Sequence, residues 1–80
     1  MLIGTIRKLY GITWSVVTPQ GNFKIHIQEQ KRLCKSISDE CEMSVFEGEE
    51  VTFIWAEDIA PPKGFKGWVK QGTIKILPPL

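Results

Sequence analysis

One histidine, one tyrosine and two cysteines are spread over 80 residues, and each scarcity excludes something. The lone His26, with no Cys-x-x-Cys pair near it, lacks the ligand set of an ordinary zinc site. Cys34 and Cys41 are too few for the disulfide framework of a small secreted scaffold. If residues 33–42 are helical, the two cysteines lie on one face about 10.5 Å apart along the axis. That is beyond disulfide reach, so two buried free thiols are expected, with no metal and no other cofactor. Catalysis by either thiol with His26 is chemically conceivable, but no neighbour marks a cysteine as activated, and a non-enzymatic protein is expected. No apolar run approaches the ~20 residues that span a bilayer. The Met1–Lys8 segment has its basic residues after a short apolar stretch and no cleavage-site pattern, unlike a signal peptide. A cytoplasmic protein with no membrane partner is the expectation.

Charge of one sign is missing from whole segments. Residues 1–35 hold Arg7, Lys8, Lys24, Lys31, Arg32 and Lys35 against one acid, Glu29. Residues 36–62 hold Asp39, Glu40, Glu42, Glu47, Glu49, Glu50, Glu57 and Asp58 and no Lys or Arg. Residues 63–80 return to Lys63, Lys66, Lys70 and Lys75 with no acid. The formal net charge is only +1, yet signs segregated in this way can give one basic and one acidic face. The acidic stretch lacks EF-hand spacing and reads as a solvated face.

What is present is a run of short β-type segments. Leu2–Leu9 reads as a strand with Gly4 as its weak position. A turn or bulge follows at Tyr10-Gly11, then a second strand at Ile12–Thr18. A third strand covers Phe23–Gln28, after a Pro19-Gln20-Gly21-Asn22 turn in which proline suits the first central position. Leu33, Cys34, Ile37 and Cys41 recur at helical spacing, while Ser36 and Ser38 compete as local caps. After a turn at Glu47-Gly48-Glu49, Val51–Trp55 forms a fourth strand. Ala56–Gly67 is a long irregular loop, and Trp68–Leu77 is the fifth strand, with a break at Gly72. The whole chain, residues 1–80, reads as one domain, and an 80-residue domain has only a modest core.

The second and third strands are the most informative part. Alternation puts Trp14 and Val16 on one face and Val17 on the other, and sets Lys24 and His26 against Phe23, Ile25 and Ile27. Ile6, Val17, Phe23, Ile25, Val51, Phe53, Ile74 and Ile76 are expected inside. Trp14, Lys24 and His26 then share the outer face: a ring, a cation and an imidazole, a combination suited to a single nucleic-acid strand. Lys63-Gly64-Phe65-Lys66-Gly67-Trp68 adds basic residues interleaved with rings. Trp14 alternatively covers one end of the fold, and Phe65 and Trp68 alternatively plug its open end. Trp55 continues the Val51/Phe53 alternation into the core.

Five short strands with a helix-sized insert after the third suit an all-β, five-stranded antiparallel Greek-key barrel. The OB-fold has this plan and binds oligonucleotides across its second and third strands; an SH3-like barrel has a similar strand count. The chain resembles the cold-shock domain, a small OB-fold family that binds single-stranded RNA and DNA. Gly4-Thr5-Ile6 is similar to the Gly-Thr-Val opening that family's first strand. Val17-Thr18-Pro19 resembles the Ile-Thr-Pro closing its first RNA-binding motif, and Phe23-Lys-Ile-His26 resembles the Val-Phe-Val-His of its second. Phe46-Glu-Gly-Glu-Glu-Val51-Thr-Phe53 looks like its Leu-x-Glu-Gly-x-x-Val-x-Phe, and Ile74-Lys-Ile-Leu77 closes like its last strand. The departures fall on the stacking platform. Ile12-Thr-Trp14-Ser-Val16-Val17 keeps one ring of the first motif and replaces the other by Val16. Lys24 stands at a stacking Phe, and Lys8 at the aromatic of strand one.

The resemblance therefore implies a binding module for single-stranded RNA or DNA, weakened by lost rings, with Lys8, Trp14, Lys24, His26, Lys63, Phe65, Lys66 and Trp68 as contacts. The second expectation is a small regulatory module that docks on a protein partner through Trp14, the 59–68 loop or the acidic face.

Overall fold

A computed structural model describes residues 1–35 and 41–79. The expected roles of Ser36, Ile37, Ser38, Asp39 and Glu40 fall outside the described residues. Six strands form one mixed sheet: β1 (Leu2–Leu9), β2 (Thr13–Thr18), β3 (Gly21–Lys24), β4 (Glu50–Phe53), β5 (Gly67–Trp68) and β6 (Lys75–Ile76). Their spatial order is β5-β3-β2-β1-β4-β6. One helix, α1 (Ile27–Cys34), and a 3₁₀ turn (Met43–Phe46) lie between β3 and β4. The protein is thus mainly β with a short helical insert after the third strand. The expected break at Gly72 is present, a Gln71-Gly72 turn that divides the last strand into β5 and β6. One expectation is corrected: β5 pairs parallel with β3 rather than antiparallel.

The inner face follows from cross-strand rows. Ile6 pairs with Val16 and Val16 with Phe23, and all three are fully buried. Partners across a ladder share a face, so the inward residue of β2 is Val16. Val17, expected inside, is only half-buried and pairs with Asn22. The loop β2–β3 is the two residues Pro19-Gln20, because Thr18 already pairs with Gly21. Phe23 stacks edge-on against Phe53 and Trp55, with ring centroids 5.1 and 5.5 Å away, and Ile25, Met43, Val51, Val69 and Ile74 complete the core. Ile76 does not join it: it pairs with Val51 but lies on the two-residue edge strand β6 and is exposed.

Gly4 pairs with Val51 of β4 and lies tight against the end of β2. A Cβ there would meet Val16 Cγ1 and the Val17 carbonyl oxygen at 2.6 Å, so no side chain fits. Beyond the sheet ladder, Ala56 N–H donates to Trp68 O (3.0 Å) and Lys70 N–H to Ile54 O (2.8 Å), around an antiparallel bridge between Trp55 and Val69. The chain after β4 is thereby bonded to the chain after β5.

The third strand ends at Lys24, not Gln28, because His26 caps a helix. Its Nδ1 accepts the Gln28 N–H at 3.2 Å, the role more often given to Ser, Asp or Asn. Glu29, fully buried, fixes the first turn of α1 to the segment before β6. Its carboxylate accepts from Arg32 Nε (2.8 Å) and Nη2 (2.7 Å), from Gly72 N–H (2.8 Å) and from Ile74 N–H (3.0 Å). Arg32 Nη2 also donates to Ile74 O at 2.7 Å. Burial pushes the Glu29 pKa up, but the hydrogen bonds from Arg32, Ile74 and Gly72 outweigh it and hold the group below its ordinary value.

The helix stops at Lys35, whose φ of 53° is left-handed. This turn overturns the expectation about the cysteines. Had the helix continued, Cys34 and Cys41 would lie too far apart; instead their Cα atoms are 5.7 Å apart and the sulfurs are bonded. Both cysteines are half-buried, and neither is a free thiol.

Candidate nucleic-acid interface

The outer face of the sheet carries a row read directly from the register. Arg7 pairs with Ser15, Ser15 with Lys24 and Lys24 with Trp68. Trp68 points outward because its neighbours point in. Val69 is buried, and at Gly67 the Trp55 indole occupies the space a Cβ would need. The Trp68 ring is pinned at one edge by its indole N–H, which donates to Ala60 O at 3.1 Å. Lys24 Nζ lies 5.3 Å from the Trp68 ring centroid, and the His26 ring centroid is 5.7 Å away at a tilt of 57°. Three expected contact residues, Lys24, His26 and Trp68, are therefore one cluster.

The cap bond gives His26 a defined donor. With Nδ1 accepting from Gln28 N–H, the neutral imidazole carries its proton on Nε2, and the residue is exposed. The Lys24–Trp68 contact, on a half-exposed surface, is worth about 0.5–1 kcal/mol. A base stacked on an aromatic contributes about 1–3 kcal/mol. A base can thus displace the ammonium from the ring, leaving Lys24 for a phosphate.

The remaining expected residues are placed elsewhere. Trp14 shares the inward face with Val16, packs at the end of the core and is half-buried, so its expected place beside Lys24 is corrected. The reason is parity. A two-residue loop pairs Val16 with Phe23 and Ser15 with Lys24, which leaves Trp14 on the opposite face from Lys24. Lys8 Nζ lies 5.7 Å from the Trp14 ring centroid, on β1 beside it. Lys66 is exposed, with its Nζ 5.7 Å from the Trp55 centroid, and its backbone N–H bonds Asn22 O at 2.8 Å. Lys63 is exposed on the loop before β5. Phe65 meets Tyr10 edge-on, with centroids 5.9 Å apart.

Sequence reading missed Arg7 and Tyr10. Arg7 is legible once the ladder is drawn, since a three-residue β1–β2 loop sets it opposite Ser15 and so in the Lys24 row. Tyr10 gave a weaker signal, a lone aromatic before a turn glycine. The acidic residues Glu42, Glu47, Glu49, Glu50, Glu57 and Asp58 are exposed, as a solvated face requires. Among the described residues no cluster of His, Cys, Asp or Glu is arranged to hold a metal ion. No helix among them is long and apolar enough to cross a membrane. Comparison with known proteins gives no match, whether to a family model, a curated protein or a solved structure.

Proposed function

We propose that this protein binds single-stranded RNA or DNA on the outer face of β2 and β3, with Trp68 as the stacking platform. The observation that carries the reading is the Lys24–His26–Trp68 cluster: a pinned ring flanked by a cation and a free imidazole N–H. Trp68 stacks a base, Lys24 and Arg7 attract phosphates, and His26 Nε2–H donates to a base edge or phosphate oxygen. Lys66 and Lys63 extend the positive charge along the loop that leads into β5.

The fold reading behind it is an OB-type, cold-shock-like barrel. It is supported by the neighbour order β1-β2-β3-β5 together with the backbone bonds that join the chain after β5 to the chain after β4. That is the plan of a partly open five-stranded ring, whose second and third strands hold oligonucleotides. The cysteine bond bears on the compartment: cytosolic thiol buffers reduce such bonds and oxidising compartments keep them, and the expected cytoplasmic setting favours the reduced form.

The test is a fluorescence titration with short oligo-dT and oligo-U at several salt concentrations. Binding that weakens as salt rises, with a slope near −0.7 for each phosphate contacted, is the expected result. No binding by the parent protein at low salt would overturn the proposal.

A further inference from the structure

The β1–β2 turn holds a bulky aromatic in a conformation that such residues avoid. Ile12 N–H donates to Leu9 O at 3.2 Å, and both residues between them have positive φ, 54° at Tyr10 and 78° at Gly11. This is the pattern of a type I′ turn, whose central positions are dominated by Gly, Asn and Asp. A bulky residue there is an outlier, and such outliers concentrate at ligand-binding sites. Lys35 has similar φ, but it ends a helix, where a left-handed residue is ordinary.

Burial does not compensate for the strain at Tyr10. The residue is 71% exposed, and Ile12 beside it is 83% exposed. What the conformation achieves is placement. The ring is set edge-on to Phe65, from the other loop, at an interplanar angle of 88°. Its hydroxyl lies 3.8 Å from the position a Gly64 Cβ would take, so the ring tip reaches the loop that carries Phe65. Lys63 precedes Gly64 in the same loop and is exposed. Phe65 is three residues from Trp68, at most about 10 Å along the chain.

We infer that Tyr10 and Phe65 form a second base-stacking station, which takes the base next to the one on Trp68, with Lys63 against its phosphate. The inference rests on the single-strand reading and adds a loop contact to its sheet contacts. It also accounts for a ring left in solvent at a backbone position that asparagine would occupy more easily.

Two variants test it in oligo-dT titrations, read beside thermal melts. Tyr10→Asn removes the ring and suits positive φ, so its Tm should equal or exceed the parent's. Its affinity should fall by about 5- to 150-fold, the range for one base–aromatic stack, with an unchanged salt slope. Tyr10→Phe keeps the ring and should bind as the parent does. Parent-like binding by Tyr10→Asn would overturn the station while leaving the Trp68 platform intact. A marked drop in its Tm would assign the ring a structural role and also overturn the station. A parent that does not bind would overturn both readings.

Discussion

His26 and Glu29 stand three residues apart at the start of α1 and live in opposite environments. Glu29 is fully buried, and its carboxylate accepts four hydrogen bonds, from one guanidinium and two backbone N–H groups. His26 is exposed and uses one ring nitrogen to cap the helix, with Lys24 and Trp68 beside it. A buried charge is tolerable only when its partners are complete, so the inner site has no capacity left for a ligand. The outer cluster is held by weaker contacts and keeps donors and ring surface to spare. One side of the helix start fixes the fold, and the other presents the candidate interface.

The sharpest way to break this contrast is to remove the inner carboxylate. Glu29→Ala should destabilise the protein by about 3–5 kcal/mol, because it strands Arg32 and two backbone donors, whereas Glu47→Ala on the exposed acidic stretch should stay within about 0.5 kcal/mol. Urea denaturation of the two variants measures the gap. Acid should reach the same group. The folded pKa of Glu29 lies below the 4.5 of the free group, so the unfolded chain takes up protons first as pH falls. The stabilisation is complete above that value and is lost as pH drops through the lower folded one. Melts from pH 7 to pH 3 should show Tm falling at the acid end, and less so in Glu29→Gln.

Next in size is the Cys34–Cys41 bond. Closing so short a loop should contribute about 2–3 kcal/mol in the chain-entropy picture, so reductant should lower Tm without altering oligonucleotide affinity. A loss of affinity on reduction would join the two regions that the structure keeps apart. On the outer side, Trp68→Ala should weaken binding by about 1–3 kcal/mol and leave the salt slope nearly unchanged. Lys24→Ala should have the smallest effect, lowering the slope of log K against log salt by about 0.7. Titrations of both variants across a salt series separate the two signatures.

The inner region was only partly legible in the sequence. The β-type composition of Leu2–Leu9, with its Ile and Thr residues, located β1 with its observed bounds, and Phe23 and Ile25 were read as inward. The inward residue of β2 was not, although ladder parity determines it: an even-numbered loop pairs odd-numbered Phe23 with even-numbered Val16. The Glu29 clamp was illegible because its donors, Gly72 and Ile74, lie more than forty residues away and act through backbone N–H groups. The cysteine bond was missed because it depends on the helix ending at Lys35 in a left-handed turn, where no glycine or proline announces a stop. On the outer side, Lys24, His26 and Trp68 were legible as residue types that suit a single strand. Their meeting was not, since the parallel β3–β5 pair joins segments more than forty positions apart.

The central claim, that the Lys24–His26–Trp68 face takes a single strand while the Glu29 side does not, is tested most directly by an NMR titration with oligo-dT and oligo-U. The expected result is saturable shifts of the Trp68 indole N–H and of the Lys24 and His26 amides, weaker at high salt, with the Gly72 and Ile74 amides unmoved. Shifts centred on Gly72 and Ile74, or none at Trp68 at low salt, would contradict it.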